Sequence, residues 1–171
     1  DAGCAYSELM APVHLKSPMA KSALTDLKAS ALDQLDEGVM ITDARLDRPG
    51  PCIVYVNPAW ERLTGYSAAE AVGATPRLLQ GPATSVAALR QLRASLEATG
   101  TADIEVVNYR RDGSPFRMAW SISPLRSDGA ITHYLALQRD VTRRRAEAVQ
   151  LRQLEALTRL QREVATGSLD M

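Results

Sequence analysis

The chain has 171 residues, of which 46% are hydrophobic, and its formal net charge at pH 7 is zero. This length and apolar content suffice for one domain with flanking helices, and a neutral chain has no bulk attraction to nucleic acid or to an anionic membrane. Cys4 and Cys52 are too few for a disulfide framework or a metal site, and the lack of a long apolar run or a signal-peptide pattern predicts a cytoplasmic protein.

The N-terminal part of the chain is predicted to contribute one helix before the core. Residues 1–21 show no clear periodicity and are interpreted as a leader, with cloning as one origin and Met19 as a candidate native start. Apolar residues at helical spacing then indicate an amphipathic helix within residues 22–37, which Asp36-Glu37-Gly38 would end. The core domain is predicted to cover residues 38–140.

Two strands are predicted before a helical middle and three after it. Runs of apolar, β-branched and aromatic residues mark them, and clusters of Gly, Pro, Asp and Ser separate them as turns. Gly113 and Gly129 lie in the two hairpin turns of the later group. The predicted strands cover residues 38–43, 53–56, 102–109, 116–124 and 131–140.

Three helices are predicted between the second and third strands. Asn57 would cap the first, and Pro58 is suited to its first turn. Ser67 and Glu70 fit a capping box at the start of the second, and residues 85–98 have apolar side chains on one helical face. The order β-β-α-α-α-β-β-β predicts an α+β fold, in which a five-stranded antiparallel sheet has helices on one face.

A long helix at residues 141–164 is predicted to follow the sheet, within a C-terminal segment of residues 141–171. Its apolar stripe is too apolar for a free linker, so the helix is expected to pack on the sheet, on a partner or on both. Arg143-Arg144-Arg145 at its start is interpreted as a solvated basic face. The stripe consists of Leu151, Leu154, Leu157, Leu160 and Val164.

Several segments resemble the PAS superfamily. Ile53–Tyr66, which reads IVYVNPAWERLTGY, is strongly PAS-like, as are Asp112-Gly113 before a strand and Arg139–Thr142 at the sheet exit. Gly73–Gly81, which reads GATPRLLQG, resembles the light-oxygen-voltage (LOV) branch, whose motif is G-x-N-C-R-F-L-Q-G. The resemblance covers residues 39–142 and implies a PAS fold with the properties of a flavin-binding sensor.

The chain departs from the LOV pattern at residues that matter for the chemistry. Pro76 stands where the photoactive cysteine is expected, and a proline has no thiol that could add to a flavin. Thr75 replaces an asparagine, although its hydroxyl keeps some bonding capacity. Met118 replaces a second asparagine that would bond the flavin's pyrimidine edge, and losing one such bond costs on the order of 1 kcal/mol.

The resemblance implies FMN as the cofactor, with FAD or riboflavin as alternatives. Arg77 and Arg93 would hold the ribityl phosphate, and Gln80 the ribityl chain or the ring edge. Asn108 would bond the pyrimidine edge, and Gln138 the ring near its redox-active nitrogen. The structural alternatives are surface arginines, a helix-capping glutamine and a buried asparagine bonded to backbone. The implied cofactor-binding residues are Thr42, Thr75, Arg77, Leu79, Gln80, Leu89, Arg93, Leu96, Asn108, Met118, Trp120 and Gln138.

Two classes of function are open. The first is a LOV-like sensor of blue light, of redox state or of both, which works by flavin photoreduction without a cysteinyl adduct. Gln138 would reorient as the hydrogen bonding of the ring changes, and Gln138 and Asp140 would pass the signal to the C-terminal helix. The electron donor would be an external reductant or one of the aromatic residues Trp60, Trp120, Tyr109 and Tyr134.

The second class is a PAS dimerisation or interaction module that binds no flavin or another small ligand, and Pro76 and Met118 favour it. Haem is disfavoured because neither His14 nor His133 lies on a pocket helix. No catalytic residues are predicted, and an enzyme is not expected. In either class the expected partner is a second copy of the chain, bound through the flanking helices, or a downstream effector domain or protein. Nucleic acid and membranes are not expected as partners.

Overall fold

The computed structural model describes the backbone of residues 18–47 and 49–167, and the side chains of residues 26–47 and 49–162. The chain divides into two compact units, residues 1–34 and 35–171. In the first unit the described residues form one helix, α1 Pro18–Asp33. This helix begins and ends earlier than the predicted segment, and proline is favourable in a first helical turn. Most of the predicted leader lies outside the described residues.

The second unit is built on an antiparallel sheet. Within the described residues the sheet has five strands in the order β2-β1-β5-β4-β3, and helical segments cover one face. The strands are β1 Gly38–Asp43, β2 Ile53–Val56, β3 Ala102–Tyr109, β4 Pro115–Ser127 and β5 Ala130–Asp140. The helical segments on this face are α2 Pro58–Thr64, α3 Ala68–Ala71, a 3₁₀ turn at Pro76–Leu79 and α4 Val86–Thr99. The last helix, α5 Thr142–Gly167, follows β5 and begins beside Glu105 and Arg117 on the other face. The predicted α+β fold is confirmed.

The start of α2 is tied to the sheet by a buried asparagine. The Asn57 Oδ1 atom accepts a hydrogen bond from the backbone N–H of Trp60 at 2.9 Å, which caps the helix as predicted. The same oxygen accepts from the N–H of Val39 on β1 at 2.8 Å, and Nδ2 donates to the carbonyl of Glu37 at 3.0 Å. The Asn57 side chain therefore fixes the start of α2 against β1. Trp60, three residues further along, is buried in the core.

The core lies between the helical segments and one face of the sheet. Every second side chain of β4 from Phe116 to Ile122 is buried, as the two-residue period of a strand requires. Trp60 from α2 and Leu79 from the 3₁₀ turn are fully buried opposite this face. The buried residues of β4 are Phe116, Met118, Trp120 and Ile122.

The loop between the 3₁₀ turn and α4 is held against β3 by two side chains. The hydroxyl of Tyr109 accepts a hydrogen bond from the N–H of Ala83 at 3.0 Å, and the Thr84 hydroxyl donates to the carbonyl of Val107 at 2.7 Å. The Tyr109 ring lies so close to Gly81 that a Cβ atom there would overlap it. Glycine is therefore required where this loop passes the Tyr109 ring.

The long helix α5 begins on the sheet and then leaves an apolar stripe exposed. Its first turns are held by the Arg145–Glu105 ion pair at 2.6 Å and by the Thr142 hydroxyl, which accepts from the N–H of Arg117 at 2.8 Å. Further along, Leu151, Leu154, Leu157 and Leu160 are 57–63% exposed, and Val164 lies outside the described side chains. Of the two surfaces expected to cover the stripe, this chain's own sheet does not do so, and packing on a partner stays a prediction. Scanned over the described residues, the helices yield no candidate for a membrane span.

Candidate functional site

A cavity of about 390 Å³ lies between the helical segments and the buried face of the sheet. This volume is in the range of small-molecule and cofactor sites. Its sheet wall is formed by Met40, Thr42, Trp120, Ile122, Tyr134 and Ala136, and its loop wall by Leu46, Gly50 and Pro51. The remaining wall consists of Thr75, Pro76, Arg77, Gln80, Val86, Leu89, Arg90, Leu92, Arg93 and Leu96.

The structure brings most of the predicted site residues to this cavity and leaves four of them behind its wall. Nine predicted positions border it: Thr42, Thr75, Pro76, Arg77, Gln80, Leu89, Arg93, Leu96 and Trp120. The four that do not border it are almost completely buried: Leu79, Asn108, Met118 and Gln138. Of these four, Gln138 lies 3.8 Å from the sulfur of Met40, which does border the cavity.

The arginines form the charged side of the cavity. The Arg77 Nε atom donates to the carbonyl of Pro49 at 2.8 Å, so this residue holds the loop after β1. Arg93 bonds Glu97 at 2.7 Å and Asp47 at 3.0 Å, and these carboxylates raise the pKa of Arg93 above its usual value. Both guanidinium groups are therefore partly engaged, and an anionic ligand would share or replace these contacts.

Sequence reasoning missed Arg90, which also lines the cavity. Arg90 precedes Arg93 by three positions on α4, and residues three apart lie on the same face of a helix. The spacing was visible in the sequence, but apolar periodicity was the pattern used to assign that face. The cavity thus has three arginines at its charged side instead of the two predicted.

Gln138 has a partner that the sequence did not predict. Its Oε1 atom accepts a hydrogen bond from the indole N–H of Trp60 at 2.9 Å, and both side chains are fully buried. Its Nε2 atom lies 3.8 Å from the sulfur of Met40, which borders the cavity. Gln138 is therefore one side chain away from the cavity, and its amide orientation is fixed by the bond to α2.

Asn108 and Met118 form a second buried pair. The Asn108 Nδ2 atom donates to the Met118 sulfur at 3.4 Å, and both residues are at most 1% exposed. The structural alternative for Asn108 was a bond to backbone, whereas the observed acceptor is a thioether, which is a weak one. Met118 thus engages the amide nitrogen of Asn108, the residue that was expected to bond the pyrimidine edge of the flavin.

Asp140 lies where β5 passes into α5. Its carboxylate accepts from the N–H of Thr142 at 2.8 Å and from the Arg110 guanidinium at 2.6 Å. Arg110 also donates to the carbonyl of Leu63 and stacks 4.1 Å above the Phe116 ring. Burial raises the pKa of Asp140, but the bonds from Thr142 and Arg110 outweigh it and hold the pKa below its usual value.

Neutralising Asp140 is expected to remove a pH-dependent contribution to stability. A carboxyl whose pKa is lowered by folding stabilises the fold above its unfolded pKa of about 4, and this contribution is lost as the pH falls through the folded pKa. Asp140→Asn keeps an oxygen for the N–H of Thr142, so the change isolates the charge. After allowance for solvent screening, we expect a loss of about 0.5–1 kcal/mol at pH 7 that becomes smaller at pH 3. Urea unfolding at both pH values measures it.

Asp128→Asn in the exposed turn between β4 and β5 is the matched control. It removes the same charge without touching the start of α5. An Asp140→Asn variant that lost equal stability at pH 7 and pH 3 would show that the ion pair with Arg110 is not the cause.

The antiparallel sheet, the helices on one face and the cavity between them define a PAS-type domain. Residues 36–143 match the PAS domain family, and the chain belongs to that family. It is 35% identical over 163 residues to the bacterioopsin transcriptional activator of Halobacterium salinarum, covering 90% of this chain and 24% of that protein. It is 36% identical over 141 residues to a blue-light-activated histidine kinase of Rhizobium johnstonii, covering 80% of this chain and 40% of that protein. The chain thus spans well under half of these relatives.

Solved structures show the same relationship. An RNA-binding light-oxygen-voltage receptor superposes with a TM-score of 0.71 at 30% identity, covering 90% of this chain and 42% of that one. A light-oxygen-voltage domain from work on a flavin analogue superposes with a TM-score of 0.60 at 31% identity, covering 79% of this chain and 96% of that one. The PAS fold predicted from the motifs is confirmed, and LOV domains are among the chain's homologues.

Proposed function

We propose that this chain is a sensory domain of the LOV type, which binds a flavin in the cavity and responds to blue light, to redox state or to both. The observation that carries the proposal is the division of the cavity wall into an apolar side and a cationic side. An amphipathic ligand with a planar ring and a phosphate tail fits such a site. Relatives named for blue-light activation and a similar domain studied with a flavin analogue support the same class.

The cationic side favours FMN over riboflavin. Arg77, Arg90 and Arg93 border the cavity, and guanidinium groups bind phosphate through paired, charge-assisted hydrogen bonds. Asp47 and Glu97 already hold Arg93, so a phosphate would compete with carboxylates for it. We therefore propose that the phosphate lies near the N-terminal half of α4.

The apolar side suits the flavin ring. Met40, Trp120, Ile122 and Ala136 present carbon-rich surface from three neighbouring strands. Behind them, Gln138 offers an amide whose bonds would change with the redox state of the ring. Since Gln138 is reached through Met40 in this structure, we propose that ring binding displaces the Met40 side chain.

A bound flavin would supply a chromophore that absorbs blue light and accepts electrons when excited. The residues around the cavity then determine which reaction the excited ring undergoes. Pro76 borders the cavity at the position where the LOV motif has its cysteine, and we propose that photoreduction therefore replaces the thiol reaction. Among the candidate donors, Trp120 and Tyr134 border the cavity, and Trp60 is connected to it through Gln138.

The proposed output runs along the end of β5. Gln138 is followed two residues later by Asp140, whose carboxylate accepts from the N–H of Thr142 at the start of α5 and from the Arg110 guanidinium. A reorientation of the Gln138 amide would therefore act on a strand end that is bonded directly to the helix start. The exposed leucines of α5 would pair with a second copy or with an effector, and we propose that any catalysis lies in such an effector.

The absorption spectrum of the purified protein, alone and after addition of FMN or riboflavin, tests the proposal. We expect a structured blue flavin band that bleaches to a reduced form under blue light with a mild reductant, and also under chemical reduction in darkness. In Arg77→Ala/Arg93→Ala, affinity for FMN should fall while affinity for riboflavin changes little. Protein that stays colourless and binds neither flavin contradicts the proposal.

A second candidate is a PAS interaction module without flavin. The bond between Asn108 and Met118 favours it, because it satisfies within the protein a side chain that a flavin would otherwise use. The exposed stripe of α5 favours it as well. Colourless protein that dimerises, and whose dimer is broken by Leu154→Glu, would support this module.

A further inference from the structure

The indole N–H of Trp120 is a buried donor that the protein does not satisfy. Among the buried side-chain nitrogen and oxygen atoms of the described residues, it is the one without a hydrogen-bond partner. The Trp120 side chain is 6% exposed. Buried indole N–H groups normally have an acceptor, and leaving one unpaired costs about 1–3 kcal/mol. An acceptor from outside the chain would remove this cost.

The side chain that carries this donor borders the ligand cavity, and its buried Nε1 atom would become reachable to a ligand only through a local shift of side chains. Trp120 lies on the buried face of β4, its side chain borders the cavity, and it pairs in register with Gln138 on β5. The chain's other tryptophan, Trp60, is also buried, but its N–H is satisfied by Gln138 at 2.9 Å. The two indoles therefore differ in one respect that matters here, namely whether an acceptor is already present.

We propose that Trp120 Nε1–H donates a hydrogen bond to a carbonyl oxygen of the bound flavin ring. The inference rests on the proposed function and deepens it by naming a specificity-determining residue. It also compensates for Met118, which has no donor and whose sulfur accepts from Asn108. The donor missing at position 118 is then supplied two residues further along the same face of β4.

The consequence for specificity is that this wall recognises an acceptor as well as a flat apolar surface. A ligand whose ring carries a carbonyl oxygen at this point satisfies Trp120, whereas a wholly apolar ligand of the same shape leaves its N–H buried and unpaired. Hydrogen-bonding discrimination of this kind is stronger than the discrimination that shape alone gives.

Proton–nitrogen NMR of protein labelled at the tryptophan indoles, titrated with FMN, tests the inference. We expect the Trp120 N–H proton resonance to move downfield on binding, and its absence from the spectrum of Trp120→Phe distinguishes it from the Trp60 resonance. Trp120→Phe keeps an aromatic ring without the donor and should bind FMN about 5- to 10-fold more weakly. Circular dichroism checks that Trp120→Phe is folded. If this variant does not fold, the NMR titration of the wild-type protein still tests the inference.

The possible failures are distinguishable. If the wild-type protein binds FMN but the Trp120 resonance does not move, or if folded Trp120→Phe binds FMN equally well, the donor role is overturned and the proposed function stands. If the wild-type protein binds no FMN at all, the proposed function and the donor role fail together.

Discussion

Replacing Gln138 with leucine is expected to abolish the response of α5 to light and to chemical reduction, and also to destabilise the fold. The amide is the group whose bonds would change with the flavin, and leucine has neither donor nor acceptor. The same change leaves the Trp60 N–H buried and unpaired, which costs about 1–3 kcal/mol. Hydrogen–deuterium exchange of α5 in darkness and after illumination measures the response, and urea unfolding measures the stability.

Trp60→Phe separates these two effects. Alone it leaves the Gln138 oxygen unpaired, whereas Trp60→Phe/Gln138→Leu removes both partners of the bond. We expect the double variant to be more stable than the sum of the single changes by about 1 kcal/mol or more. Its α5 response should still be absent, because the amide is missing even though part of the stability is regained.

Hydrogen–deuterium exchange and urea unfolding test different steps of the proposed route. A normal light-driven change of α5 in the FMN-loaded Gln138→Leu variant would rule out the route through the amide. Strictly additive losses of stability across the three variants would show that the Trp60–Gln138 bond does not couple α2 to the end of β5.

The bond between Trp60 and Gln138 also shows where sequence reasoning ended. Gln138 was identified from an apolar run that finishes in an amide, which predicts that a buried amide needs a partner. The partner chosen was a flavin, whereas the protein itself supplies an indole that is 78 positions away in sequence. Only the packing of α2 against β5 brings these two side chains together, and no local pattern contains that information.

Local patterns were sufficient where the physics is local. β1, β2 and β3 have the predicted bounds, because turn residues and strand periodicity mark both ends of each strand. β4 was predicted to end at Pro124, but it continues to Ser127. Its pairing with β3 ends at Ile122, so Pro124 is paired only with β5. The other side of Pro124 is an edge of the sheet, where proline is tolerated.

Replacing Pro76 with cysteine is expected to give the FMN-loaded protein a reversible photoreaction that needs no external reductant. Pro76 borders the cavity and begins the 3₁₀ turn, and Thr75 before it makes no side-chain cap. A cysteine there would place a thiol at the cavity wall without removing a backbone hydrogen bond. The S–H bond would break, the sulfur would bond to the excited ring, and the proton would pass to the ring. Thiol and flavin together then keep all their electrons, so no external reductant is needed. Loss of proline costs about 0.4–1 kcal/mol through the unfolded state.

Absorption spectra under blue light without reductant check this expectation. The flavin band of Pro76→Cys should disappear on illumination and recover in darkness. Pro76→Ser has nearly the same size and no thiol, so it should show neither change. Cys52 is present in all three proteins and does not border the cavity, since its sulfur lies 3.6 Å from the carbonyl of Gly73. If Pro76→Cys binds FMN and behaves as Pro76→Ser does, position 76 does not face the reactive part of the ring. The correspondence with the LOV motif would then fail at the residue on which its chemistry depends.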